Sequence, residues 1–151
     1  MNRTQLISMV RSNARDFTNS IFRESDIILY INEGIDRVKQ VIKECKPMVQ
    51  LTSPTQSPII LPEEYHSLLA LYSTSRCFSQ DESSYRAVSF MNEFEAKLDE
   101  LKQDVQSGDV VLVDGTGTEI ESAYEPEYVD LESYWGKSTT DLLEEAVEDL
   151  E

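Results

Sequence analysis

Residues 25–46, SDIILYINEGIDRVKQVIKECK, decide the fold class. Within this stretch Ile28, Ile31, Ile35, Val38 and Ile42 recur at steps of three and four, which sets them in one stripe along an α-helix. The helix stops at Lys46-Pro47, because the ring of a proline pushes the residue before it out of the helical region. At ~1.5 Å per residue the helix spans about 30 Å, enough to run the length of a small domain. Gly34 sits inside it, where alanine is favoured by ~1 kcal/mol. Either another backbone passes close by at that point, or the glycine is simply tolerated.

Working outward, Thr4 to Arg15 carries Leu6, Ile7 and Val10 on one face, with Thr4 as the expected cap of a short first helix. Phe17 to Arg23 reads as a loop, with Ile21 and Phe22 tucked inward. Pro62 followed by Glu63 and Glu64 suits the start of a third helix running to about Phe78, since proline lacks only an N–H that has no partner there and the carboxylates face the positive end of the dipole. Asp81 is the expected cap of a fourth helix, in which Tyr85, Val88, Met91, Phe94, Leu98, Leu101 and Val105 recur at steps of three and four until Gly108. The second and fourth helices then supply the core of a mainly α, four-helix domain at residues 1–107, through Ile28, Ile31, Ile35, Val38, Met91, Phe94, Leu98 and Leu101. Met48 to Leu51 and Ser57 to Leu61 bracket a polar turn and read as a small β-hairpin, restricted by Pro54 and Pro58 to an edge.

Charge divides the chain. Residues 1–107 hold 12 Lys+Arg against 15 Asp+Glu, whereas residues 108–151 hold 1 against 14, so most of the net charge of −16 lies in the last part. Such a block repels itself and is expected to form an extended acidic C-terminal arm that orders on something else. Within it, Val110 to Ile120 around Asp114-Gly-Thr-Gly reads as an acidic hairpin, and Leu142, Leu143, Val147 and Leu150 as a terminal helix with a narrow apolar stripe. Tyr124, Tyr128, Tyr134 and Trp135, spaced among carboxylates, together with Leu142 and Leu143, are the candidate partner interface, because aromatic side chains supply anchoring area at protein contacts.

The same composition argues against several functions. A sequence pI near 4.3 opposes nucleic-acid binding, which depends on cationic side chains displacing phosphate counterions. No apolar run approaches the ~20 residues of a membrane span, and the first residues carry no signal-peptide pattern, so a soluble cytoplasmic protein is expected. Cys45 and Cys77 are the only cysteines and are expected to be thiols. His66 is the only histidine, which leaves no Ser-His or Cys-His pair, and its place at a helix start suggests a surface or interface position. Asp114-Gly-Thr-Gly lacks the Lys-Ser/Thr of a phosphate loop, and Asp109, Asp114 and Glu119 do not fit a calcium loop, so neither cofactor nor metal is expected.

Two blocks of the chain resemble a known family. Residues 4–39, from TQLISMVR through FRESDIILYINEGI, and residues 61–105, with LPEEY, Tyr72 to Phe78, Asp81-Glu and FEAKLDEL, resemble the head-to-tail connector (adaptor) proteins of tailed bacteriophages. The resemblance implies a small helical domain, made in the host cytoplasm and housed in the virion neck, with no enzymatic activity. It implies a homo-oligomeric ring of about twelve copies between the portal protein and a stopper or tail completion protein. DNA passes through such a ring without specific binding, and an acidic inner face repels its phosphates. The acidic arm lies outside the matched pattern. A protein of another class is also consistent with spaced carboxylates and aromatics: an acidic DNA mimic that inhibits a nucleic-acid-binding protein. Ring formation distinguishes the first, and a stable monomer bound to a basic partner the second.

Overall fold

The structure, a computed structural model, describes residues 1–80 and 84–121. Among these residues it is mainly helical, with α1 at Arg3–Ala14, α2 at Glu24–Val41, α3 at Ser67–Gln80 and α4 at Ser84–Ser107. Short 3-10 turns at Lys43–Cys45 and Glu63–Tyr65 follow α2 and precede α3. No β-strand occurs among the described residues. The segment expected to cap α4, at Asp81, and the six candidate interface residues Tyr124, Tyr128, Tyr134, Trp135, Leu142 and Leu143 lie outside the described residues.

The first helix is capped two residues earlier than Thr4. Asn2 is the cap: its side chain accepts from the Gln5 N–H at 2.9 Å while the Gln5 side chain accepts from the Asn2 N–H at 2.8 Å. This reciprocal pair satisfies two N–H groups at once and outcompetes a lone threonine. Thr4 instead sits in the first turn and donates its hydroxyl to the Pro54 carbonyl at 3.1 Å.

α3 is the centre of the bundle, packing against each of the other three helices. Its run Ser73, Thr74, Ser75 looks polar in sequence but is buried, because each hydroxyl finds a carbonyl. Ser73 donates to Ile27 at 3.1 Å, Thr74 to Ala70 at 2.7 Å and Ser75 to Ala87 at 2.6 Å, and these small side chains let α2 and α4 approach closely. Gly34 of α2 belongs to the same contact. A Cβ there would lie 3.3 Å from Tyr72 Cδ1, so the glycine admits a side chain of α3 rather than a passing backbone. α4 runs antiparallel to α3, with Phe90 stacked on Phe78 at 5.7 Å, Phe94 edge-on to Tyr72 at 5.1 Å, and Lys97 donating to Ser67 at 2.7 Å.

Six of the eight expected core residues, Ile31, Ile35, Val38, Phe94, Leu98 and Leu101, are fully buried. Ile28 and Met91 are partly buried and flank the core. On α2 the buried arc is turned toward α3, taking in Ile27, Tyr30 and Gly34, so Ile28 falls at its edge. On α4 the stripe expected from Tyr85 and Val88 is displaced, for both are exposed, and Ala87 and Phe90 replace them. Residues 85, 88, 91 and 94 are separated by three successive steps of three, and at about 100° per residue these carry Tyr85 about 180° around the helix from Phe94. The series 87, 90, 94, 98, 101, 105 mixes steps of three and four and stays on one face.

The expected hairpin at 48–61 does not form. Its backbone groups are taken by other elements: Asn32 of α2 accepts from the Leu51 N–H at 2.8 Å and donates to the Leu51 carbonyl, while the carbonyls of Pro54 and Gln56 accept the first N–H groups of α1. Groups bound in this way are withdrawn from any ladder between the two stretches. At 110–120 a turn is closed by one antiparallel bridge, Val113 to Glu119, with Asp114 accepting from the Thr116 and Thr118 N–H groups at 2.8 and 3.0 Å. Leu112 is 3% exposed, and Val110 and Ile120 pack against the same core, so the packed unit continues past residue 107.

Candidate interaction surfaces

The two ends of the bundle differ in construction. At the first end, the loop between α1 and α2 is held by Asp16, a charged residue with 0% exposure. Its carboxylate accepts from the N–H groups of Ser20, Ile21 and Phe22 at 3.0, 3.2 and 3.2 Å and from Arg11 Nη1 at 2.6 Å, while Arg11 also donates to the Phe22 carbonyl. Burial alone pushes this carboxyl group up, but the three N–H groups and the guanidinium outweigh it and hold it below its usual value. The loop is thereby fixed with Phe22 inward, edge-on to Phe78, and with Phe17 and Ile21 outward, 76% and 57% exposed. Ile21 is therefore not the inward anchor its hydrophobicity suggests. Tyr85 and Val88, at the start of α4, are exposed at the same end.

The second end is held by several dispersed contacts rather than by one buried carboxylate. His66 is buried rather than on the surface, with Nε2 donating to the Leu61 carbonyl at 2.8 Å and Nδ1 accepting from the Met1 amine at 2.7 Å. Burial lowers its pKa, with the Met1 amine acting in the same sense against the raising effect of Leu61. Tyr65 donates to Asp104 of α4, which raises the tyrosine's pKa together with its burial. Beside these contacts lies a hollow of about 440 Å³ whose lining includes Ile59, Val111 and Val113. Ile59 and Val49 are each 64% exposed, and Ile59 touches the glycine turn, 3.7 Å from where a Cβ on Gly115 would stand. This end thus presents its own apolar surface, different in sequence and shape from the first.

Among the described residues no group of three or more His, Cys, Asp or Glu side chains is placed to hold a metal ion, and no helix is long and apolar enough to cross a membrane. Cys45 and Cys77 are free and buried, and burial pushes their thiols up to about 12 and about 11. Asp114 of the glycine turn is committed to the turn's own N–H groups and the Thr116 hydroxyl, which hold its carboxyl below the usual value. Comparison with family models, curated proteins and solved structures gives no match.

Sequence reading misses Asp16 and the two apolar ends. A signal for Asp16 is present: an aspartate two residues before the turn-forming run Thr18-Asn-Ser favours a side chain that accepts from its own loop. For Phe17, Ile59 and Tyr85 there is none, since an isolated apolar residue reads as inward wherever it stands.

Proposed function

We propose that this chain is a structural head-to-tail connector of a tailed bacteriophage, forming a closed ring that joins the portal to the stopper or tail and lines the DNA exit channel in the virion neck. The observation that carries the reading is the pair of unlike apolar surfaces at the two ends of the bundle, around Phe17, Ile21, Tyr85 and Val88 at one and Val49, Ile59, Val111 and Val113 at the other. A ring of identical subunits is built from heterologous contacts, in which one patch meets a different patch on the next copy. Two such patches on one small unit supply both halves of that contact.

Charge supports the channel. A net charge of −16 per subunit, multiplied around a ring, repels the phosphates of passing DNA and favours sliding over binding. The resemblance at residues 4–39 and 61–105 implies a small helical domain, and the described residues are mainly helical. In this reading the acidic residues beyond 121 reach the portal or a neighbouring copy through Tyr124, Tyr128, Tyr134 and Trp135, each offering apolar area and a polar tip. No catalysis is assigned.

The test is native mass of the full chain with and without a portal ring. Ring-sized assemblies on the portal support the connector. A stable monomer that ignores the portal and binds a basic nucleic-acid enzyme overturns it in favour of a DNA mimic.

A further inference from the structure

Two excursions of the chain leave the bundle at opposite ends, and each is tied by one aspartate. Asp16 holds the loop at 15–23 through three N–H groups, and Asp114 holds the turn at 109–121 through two N–H groups and the Thr116 hydroxyl. Each turns two apolar side chains outward, Phe17 and Ile21 from the loop, Val111 and Val113 from the turn. Their charges are opposite. The loop carries Arg15 and Arg23, both exposed, and its one carboxylate, Asp16, is 0% exposed and bound to Arg11. The turn carries Asp109, Asp114, Glu119 and Glu121 and no Lys or Arg. Neither arginine and none of these carboxylates forms an ion pair among the described residues. Other charges near the two ends are engaged or set apart. Glu24 and Asp26 stand in the first turn of α2, at the positive end of its dipole, and the Met1 amine lies 3.6 Å from Glu63. Lys43 and Lys102 border a separate hollow between the ends of α2 and α4, and Asp81 and Glu82 lie outside the described residues.

We propose that the loop at 15–23 of one copy docks on the turn at 109–121 of the next, with Phe17 and Ile21 against Val111, Val113 and Ile59 and with Arg15 and Arg23 facing the carboxylates of the turn, an inference that rests on the connector reading. The occupant is a second copy because the loop offers in one projection what the turn lacks, cations beside apolar area. Opposite charge around an apolar contact selects orientation: loop against loop, or turn against turn, brings like charges together. Head-to-tail pairing is thereby favoured over a symmetric pair, which is the condition for a closed ring. Both projections are held in place by their own aspartates before they meet, so docking leaves little backbone to order. The net charge of −16 repels whole copies at a distance, whereas these pairs act only once the surfaces meet.

The test mixes full-length chains carrying Thr18→Cys with isotope-labelled full-length chains carrying Thr116→Cys, adds a bifunctional maleimide and weighs the adducts, Cys45 and Cys77 being shielded by burial. Sedimentation of the same chains in ~1 M salt records whether they assemble. The expected result is that adducts of the unlike pair dominate. In about 0.15 M salt their yield should fall about tenfold with Arg15→Glu and Arg23→Glu in the first chain, or with Glu119→Lys and Glu121→Lys in the second, and return when both reversals are combined. The return also shows that the reversed chains are folded. Unlike pairs at no more than their statistical share, a yield that neither reversal moves, or a loss that the combination does not restore each overturn the proposal, while ring-sized species in ~1 M salt leave the connector reading standing. A chain that neither assembles nor cross-links overturns both.

Discussion

The two ends of this bundle solve the same problem, holding an irregular connection against a helical core, by different means. The first uses one buried charge: Asp16 gathers three N–H groups and Arg11, so the loop has a single point of failure. The second spreads the task over Asn32, His66, Tyr65 with Asp104, and the carbonyls of residues 54 and 56, several of them neutral. The two apolar patches sit on ends held in these different ways, and in the proposed ring a surface unlike its opposite end suits head-to-tail contact.

Substitution should separate the two designs. Asp16→Ala leaves Arg11 and three N–H groups buried without their acceptor and is expected to cost ~3–5 kcal/mol in urea unfolding. Asn32→Ala should cost only ~1–2 kcal/mol, because the neighbouring bonds remain. Equal losses would break the comparison. On α4, which spans both ends, Phe94→Ala is expected to cost ~3–5 kcal/mol through lost burial and a cavity. Tyr85→Ala on the opposite face should change stability by less than about 0.5 kcal/mol.

Acid titration sharpens the contrast. The Asp16 carboxyl is held below its usual value, so its contribution is present above about pH 4 and disappears as the pH falls through its lower, folded value. His66 is lowered as a base, so the unfolded chain takes up the proton first, and stability declines as the pH drops below about 6.5 toward the folded value. Thermal melts across pH 3 to 8 should therefore show two separate losses. Asp16→Asn removes the acidic one and His66→Gln the one nearer neutrality. A single transition shared by both variants would contradict the separation.

The smallest effect on stability is expected where the proposed function is greatest. Phe17→Ser at the first end and Ile59→Ser at the second should each shift the unfolding free energy by less than about 0.5 kcal/mol. Calorimetry checks this, and a large loss for either would move that side chain from surface to core.

How far the sequence discloses this arrangement follows from what each pattern encodes. The α2 stripe is legible because its alternating steps hold one face over five positions, and the burial of Ile31, Ile35 and Val38 follows. The first half of α4 is not, because steps of three drift around the helix and only the competing series through Ala87 and Phe90 keeps its phase. The stretches at 48–51 and 57–61 have strand composition, but whether a strand forms depends on which partners take its N–H groups, and Asn32 and α1 are remote in sequence. The site is less legible still. Asp16 leaves a local trace in the turn residues after it, whereas outward Phe17 and Ile59 are distinguished from core residues only by the packing around them.

Sedimentation velocity of the full-length chain tests the central claim, that two unlike ends meet between copies, most directly. At low ionic strength the net charge of −16 keeps subunits apart, and ~1 M salt, which shortens the Debye length to about 3 Å, removes that barrier. The predicted result is a monomer at low salt that converts to a ring-sized species at high salt or on a portal ring, and a chain carrying either Phe17→Asp or Ile59→Asp that stays monomeric at high salt. A natural chain that remains monomeric in every condition, or rings that form unchanged with both substitutions present, would contradict it.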